Sequence, residues 1–317
     1  MPEASGVRAA SRGGPLSVLL LLGVLWGALF PITKLGVDAG ANPFALVTVD
    51  FLLASGTALG VAGAVRAPWP GVRSLLESMG LGALMIGGIN LPLFWGEQFA
   101  TGGAASIVYA TSPAISLLVL LAARHGPRPS ALRLGALAMG LSGVLVLSLA
   151  AGSGGPVTNP WGLVAFALGA TCQGVGAVLI SVRRPHGEGR WGQAAQFTGA
   201  AAAGLVTMAV LAAPFALPAV APVLLSIAYM GFVSLVIGYT LFFRLVRDAG
   251  PVGANLVTFL NPVVALALGV VVFGESFRAP EVAGLVLVLV GLVLLERPDP
   301  PHAVASRPSG GPNRLGS

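Results

Sequence analysis

The sequence predicts an all-α integral membrane protein of ten transmembrane helices in two inverted five-helix repeats. Four observations carry that reading. Of 317 residues, 56% are hydrophobic and 9% charged, against about one quarter charged in soluble domains. The apolar residues gather into runs of about 20, the length that crosses a hydrocarbon core as helix. The remaining basic residues alternate from loop to loop, and the second half of the chain aligns on the first without gaps.

In chain order the ten runs cover roughly residues 17–37, 44–64, 75–95, 101–123, 131–150, 161–182, 192–213, 221–246, 252–273 and 280–296. The first follows Arg8 and Arg12, as a cleavable signal peptide would, with DAGA from Asp38 as its small-residue site. Its length, and Lys34 ahead of that site, favour a retained span. The fifth and tenth are almost wholly apolar and read as lipid-facing or packing elements. Residues 1–15 and 298–317, rich in Pro, Gly, Ser and Ala, are expected to be disordered cytoplasmic tails. Between them lie a first unit at 16–150, the uncharged link AGSGGPVTNP at 151–160, and a second unit at 161–297.

Charge tests the count independently, because cytoplasmic loops are enriched in Lys and Arg. With the N-terminus inside, the inner segments collect Arg8, Arg12, Arg66, Arg73, Arg124, Arg128, Arg133, Arg183, Arg184, Arg190, Arg244, Arg247, Arg297, Arg307 and Arg314. Only Lys34 and Arg278 fall outside, so 15 of the 17 basic residues obey the rule. One missed helix would invert every later loop. The expectation is a multi-pass protein of the inner (plasma) membrane with both termini cytoplasmic. The +6 net charge follows from the same bias and gives no warrant for nucleic-acid binding.

Sliding the halves together puts Pro113 over Pro262, Gly135 over Gly284, Val144-Leu145 over Val293-Leu294, Ser106 over Asn255 and Tyr109 over Thr258. Five helices is an odd number, so the second unit enters the membrane in the opposite direction. Inverted repeats are the plan of secondary transporters, whose sites lie near the midplane between repeats. A proline at the same place in both copies is a candidate hinge, or else a kink satisfied by neighbouring helices.

Polar residues inside the spans mark where a cavity would lie. Ser106, Tyr109, Pro113 and Ser116 form a stripe in the fourth helix, with Ser112 beside it, and Asn255, Thr258 and Pro262 make a matching stripe in the ninth, with Asn261 beside it. The third offers Asn90, Phe94 and Glu97, the sixth Gln173, and the eighth Ser234, Gly238 and Tyr239. The competing reading is interhelical glue, since such side chains hydrogen-bond across helix pairs. Trp26 and Trp95 are candidates to stack a substrate, the alternative being the interfacial position that Trp favours in membranes. Gly23 and Gly27, and also Gly56 and Gly60, have the spacing for close helix contact.

Asp50 is the sharpest single residue, because an ionised carboxylate inside an apolar helix costs about 2.5–3.5 kcal/mol on insertion scales. Either it forms a structural pair with Lys34, or it carries a coupling proton or grips a substrate amine.

The stretches LLGVLWGALFPITKLG, SPAISLLVLL and, above all, YTLFFRLVRDAGPVGANLVTFLNPVVALALGVVVFGESFRAPEVAGLVLVLVGLVLL resemble the EamA-like branch of the drug/metabolite transporter superfamily. The resemblance spans residues 16–296. It implies ten helices in two inverted repeats, termini inside, export or permeation of amino acids and other small metabolites, and a cavity built by the third, fourth, eighth and ninth helices with the first and sixth. Two departures stand out. Asp50, in VDFLLASG, replaces an Arg common in relatives, and AARHGPRP replaces a Gly-Glu that the second repeat keeps at Gly274-Glu275.

Other chemistry finds no support in the sequence. No phosphate-binding G-x-x-x-x-G-K-[ST] loop and no G-x-S-x-G elbow occur. His125, His186 and His302 are scattered over loops and tail, and Cys172 has no partner for a disulfide. The chain therefore reads as a secondary transporter working by alternating access, a permease or exporter of small organic metabolites such as amino acids. A channel-like pore or an intramembrane enzyme is the alternative. The implied partners are the bilayer, a small-molecule substrate and, through Asp50, protons; no cofactor, metal or nucleic acid is called for, and monomer and homodimer are both compatible.

Overall fold

The structure is a computed structural model describing residues 14–99, 105, 108–124, 129–150, 159–183, 189–273 and 279–295. A few side chains within these ranges, that of Lys34 among them, lie outside the described residues. Every regular element described is helical. In chain order these are α1 (Gly14–Gly27), α2 (Leu29–Asp38), α3 (Pro43–Ala64), α4 (Val72–Gly82), the π-helical turn π1 (Ala83–Gly87) and α5 (Gly88–Gly96). There follow α6 (Ser112–Ala122), α7 (Ala131–Ala150), α8 (Pro160–Arg183), α9 (Arg190–Val210), α10 (Ala221–Ala228), π2 (Tyr229–Gly238), α11 (Tyr239–Asn255), α12 (Val257–Phe273) and α13 (Ala279–Leu295).

Among the described residues four continuous runs are long and apolar enough to cross a membrane: Pro43–Ala64, Val72–Gly96, Pro160–Arg183 and Ala221–Asn255. Shorter apolar helices include Gly14–Gly27, Ser112–Ala122, Ala131–Val146 and Val282–Leu295. Two long helices start in the same way. Asn42 Oδ1 accepts Phe44 N at 3.0 Å and Ala45 N at 3.1 Å ahead of Pro43, and Asn159 Oδ1 accepts Trp161 N at 3.0 Å ahead of Pro160. Each Asn satisfies orphan donors of the first turn, and each Pro has no N–H to satisfy there.

Three boundaries differ from the sequence expectation. The first run is two helices, because Pro31 offers no donor to the Gly27 carbonyl and the ladder pauses at Ala28. The loop expected between the eighth and ninth runs shrinks to a kink at Gly250, whose φ of 75° is left-handed and open to glycine, followed by Pro251 and a second pause at Leu256. Pro113 sits in the first turn of α6, whereas Pro262 lies inside α12. The two prolines are therefore not in the same local structure.

The helices pack mostly across the middle of the sequence. α1 lies on α12, and α8 lies on α6; π1 lies on α9, and π2 lies on α3; α5 lies on α8, and α11 with π2 lies on α1. α3 also packs on α9, and α7 on α13. In the sequence register of the two halves, each of these pairings has a counterpart with the partners exchanged. Close approach is bought with small residues: a Cβ at Gly23 would stand 2.5 Å from Leu260 Cδ1, and one at Gly27 2.5 Å from Val264 Cβ. Gly56 and Gly60, by contrast, face open space. Outward faces are apolar, as at Leu20, Leu21 and Val24 on α1 and Val206 and Val210 on α9, the surface a bilayer covers.

Candidate functional site

Where α1, α2, α5, α8, π2, α11 and α12 converge with Tyr109, a cavity of about 40 Å³ remains. It is lined by Trp26, Leu29, Ile89, Asn90, Leu93, Tyr109, Gln173, Ser234, Tyr239, Thr258 and Asn261. Both halves of the chain contribute. Among the described residues no charged side chain lines it, so the walls they form are neutral.

Aromatic rings form one side. Trp26 stacks on Phe242 with centroids 5.3 Å apart and planes at 29°, and lies 5.3 Å from the Tyr239 ring. Its indole N–H donates to the Ser234 carbonyl at 3.2 Å, within the π turn. The position admits only glycine opposite: a Cβ at Gly238 would stand 2.5 Å from Trp26 Nε1. Tyr109 is fixed likewise. Its hydroxyl donates to the Ile89 carbonyl at 2.8 Å, and a side chain at Gly169 would overlap it.

Amides and hydroxyls form the other side. Asn90 Nδ2 donates to the Ile86 carbonyl at 2.8 Å, in π1, and to the Tyr239 hydroxyl at 3.3 Å. Gln173 Nε2 donates to Asn255 Oδ1 at 3.1 Å, Asn255 Nδ2 to Ser116 Oγ at 2.7 Å, and Ser116 Oγ to the Gly174 carbonyl at 3.0 Å. That relay ties α6, α8 and α11 together. Thr258 Oγ1 donates to the Asn255 carbonyl at 2.8 Å. Pro262 has no N–H for the Thr258 carbonyl, its helical acceptor one turn back. Asn261 is 5% exposed, and its Oδ1 receives no hydrogen bond among the described residues.

Of the residues singled out from the sequence, Trp26, Asn90, Tyr109, Gln173, Tyr239, Thr258 and Asn261 meet at this cavity. Asn255 stands behind it through Gln173. Phe94 is buried but away from the lining, and Ser112 Oγ is turned to the Tyr109 carbonyl at 2.7 Å, the acceptor that Pro113 leaves without a donor. Ser106 lies outside the described residues, as does the Lys34 side chain and hence any pair it makes with Asp50. Trp95 packs edge-on against Phe99 at 5.2 Å. Leu29, Ile89 and Leu93 also line the cavity, but nothing distinguishes them in sequence from lipid-facing residues. Phe242 and Phe243 complete an aromatic cluster with Tyr239 that sequence reading does not single out.

The arrangement offers ring faces for stacking and amides and hydroxyls for hydrogen bonding. At about 40 Å³ it takes a few waters, far less than the roughly 300 Å³ at which small-molecule pockets begin. Loading it requires the helices to part.

Comparison with known proteins follows the same line. Residues 160–297 match the model of the EamA-like transporter family. The chain is 26% identical over 280 residues to the uncharacterized inner membrane transporter YedA of Escherichia coli K12, covering 87% of this chain and 89% of that one. It is 28% identical over 236 residues to Protein PecM of Dickeya dadantii, covering 72% and 75%. It is 27% identical over 291 residues to a probable terminal-alkyne amino-acid exporter of Streptantibioticus cattleyicolor, covering 88% and 92%. A crystal structure bearing no functional name superposes with a TM-score of 0.72 at 20% identity, over 90% of this chain and 98% of the other. That likeness concerns fold alone.

Proposed function

We propose that this membrane transporter, whose residues 160–297 match the EamA-like transporter family and which is similar along most of its length to an inner membrane transporter, is a carrier of small neutral or zwitterionic metabolites, amino acids being the leading class, working by alternating access. The carrying observation is the uncharged cavity to which both halves contribute. The exchanged pairing of helices across the halves supports ten spans in two inverted repeats, and the Arg distribution supports cytoplasmic termini. The exporter from Streptantibioticus cattleyicolor, named for an amino acid, supports that substrate class and the outward direction.

A cell-based comparison tests the reading. Metabolites retained by cells lacking the protein and released by cells expressing it are identified, then offered with radiolabel to proteoliposomes. A carrier gives saturable counterflow. Flux linear in concentration would indicate a channel, and identical metabolite profiles in the two strains would refute export.

A further inference from the structure

We propose that Asp50 is a proton-binding site of this transporter, held as the neutral acid in the compact state and discharged to water when the junction between α3 and π2 opens. The proposal deepens the transporter reading and rests on it for its purpose.

Asp50 is 0% exposed, and neither of its carboxyl oxygens takes part in a hydrogen bond among the described residues. Its surroundings follow from its neighbours on α3. Leu46 and Ser226 meet at Gly36, where a Cβ would stand 3.2 Å from Leu46 Cδ2 and 3.0 Å from Ser226 Oγ. Leu53 meets Gly231, where a Cβ would stand 2.6 Å from Leu53 Cδ2. Leu46, Asp50 and Leu53 are spaced i, i+4, i+7 and share one helix face. Asp50 therefore faces the stretch between Ser226 and Gly231, where α10 gives way to π2 at Tyr229. Ser226 Oγ is itself wholly buried and unpartnered.

Among the described residues no opposite charge answers the acid. α9 offers Arg190, exposed at its far end; α5 and α10 carry no titratable group, Glu97 following α5; π2 has Tyr229, whose hydroxyl donates to the Leu25 carbonyl at 2.7 Å. Lys34 is on α2, its side chain outside the described residues. A carboxylate left unpaired at this depth is disfavoured, whereas the neutral acid fits. π segments interrupt the regular ladder and often mark functional positions. A shift of π2 toward α-helical register would move Ser226 and Tyr229 past α3 and admit water. The acid O–H bond then breaks, its electron pair stays on the carboxylate, and the proton leaves on water; the reverse step recharges the site.

The test needs no substrate. In infrared spectra of the full chain in liposomes at neutral pH, a carboxylic-acid C=O stretch is expected in the wild type and absent from Asp50→Asn, which is isosteric with the neutral acid. Amide exchange, corrected for its intrinsic pH dependence and read by mass spectrometry over residues 46–53 and 226–234, is expected to quicken several-fold with rising pH in the wild type. It should be flat in Asp50→Asn and respond at a displaced midpoint in Asp50→Glu. Superimposable acid-region spectra overturn the proposal. So does wild-type exchange that ignores pH, or that Asp50→Asn reproduces. Failure of the transport reading would appear separately, as absent counterflow with both of these results intact.

Discussion

At the scale of single residues, the cavity is shaped by what glycine leaves out. Gly238 gives its space to the Trp26 indole, so Gly238→Ala must move that ring or the π turn. Overpacking of this kind costs about 1–3 kcal/mol. Gly56 faces open space, and Gly56→Ala should stay within about 0.5 kcal/mol of the parent. Thermal unfolding of the two variants in one detergent checks the contrast. The amide relay offers a second test. Asn255→Ala strips the acceptor from Gln173 and the donor from Ser116, both buried, at about 1–3 kcal/mol. A double-mutant cycle of Gln173→Ala with Asn255→Ala should return a coupling of about 0.5–3 kcal/mol; additive effects would show that the relay is not cooperative.

At the scale of elements, the interruptions matter more than the helices. Pro262 sits inside α12 and leaves the carbonyl of Thr258, a lining residue, without its helical donor. Pro262→Ala supplies that donor and stiffens α12 next to the cavity, so transport should slow several-fold while insertion is kept. Pro113, in the first turn of α6, removes a donor whose acceptor already receives Ser112 Oγ at 2.7 Å. Pro113→Ala should change the rate far less. Equal rates in both variants and the parent would remove the hinge from the account. Sequence could place both prolines but could not tell them apart, since the difference is where a helix begins. It also could not see π1 and π2. Met85 and Ser234 sit in ordinary apolar context, and a π turn changes the hydrogen-bond register without changing hydropathy. The polar lining was legible for a physical reason: Asn90, Gln173 and Asn261 are costly in lipid and must face something. Ile89 and Leu93 carry no such cost and gave no signal.

At the scale of the whole molecule, a cavity with neutral walls among the described residues, exchanged packing and alternating loop charge are the parts of the proposed carrier. Orientation can be checked in a Cys172→Ala background. A cysteine at Ala219 should react with a membrane-impermeant thiol reagent applied outside, and one at Gly71 should not; reversal at either would break the ten-span arrangement. The central claim is that one cavity is presented to each side in turn. The direct measurement places a cysteine at Asn261, as Asn261→Cys in the same background, in sealed vesicles of both orientations. Labelling by the impermeant reagent from either face, in vesicles that exclude the reagent itself, is the predicted result. Labelling from one face only, or leakage of the reagent through the protein, would contradict it.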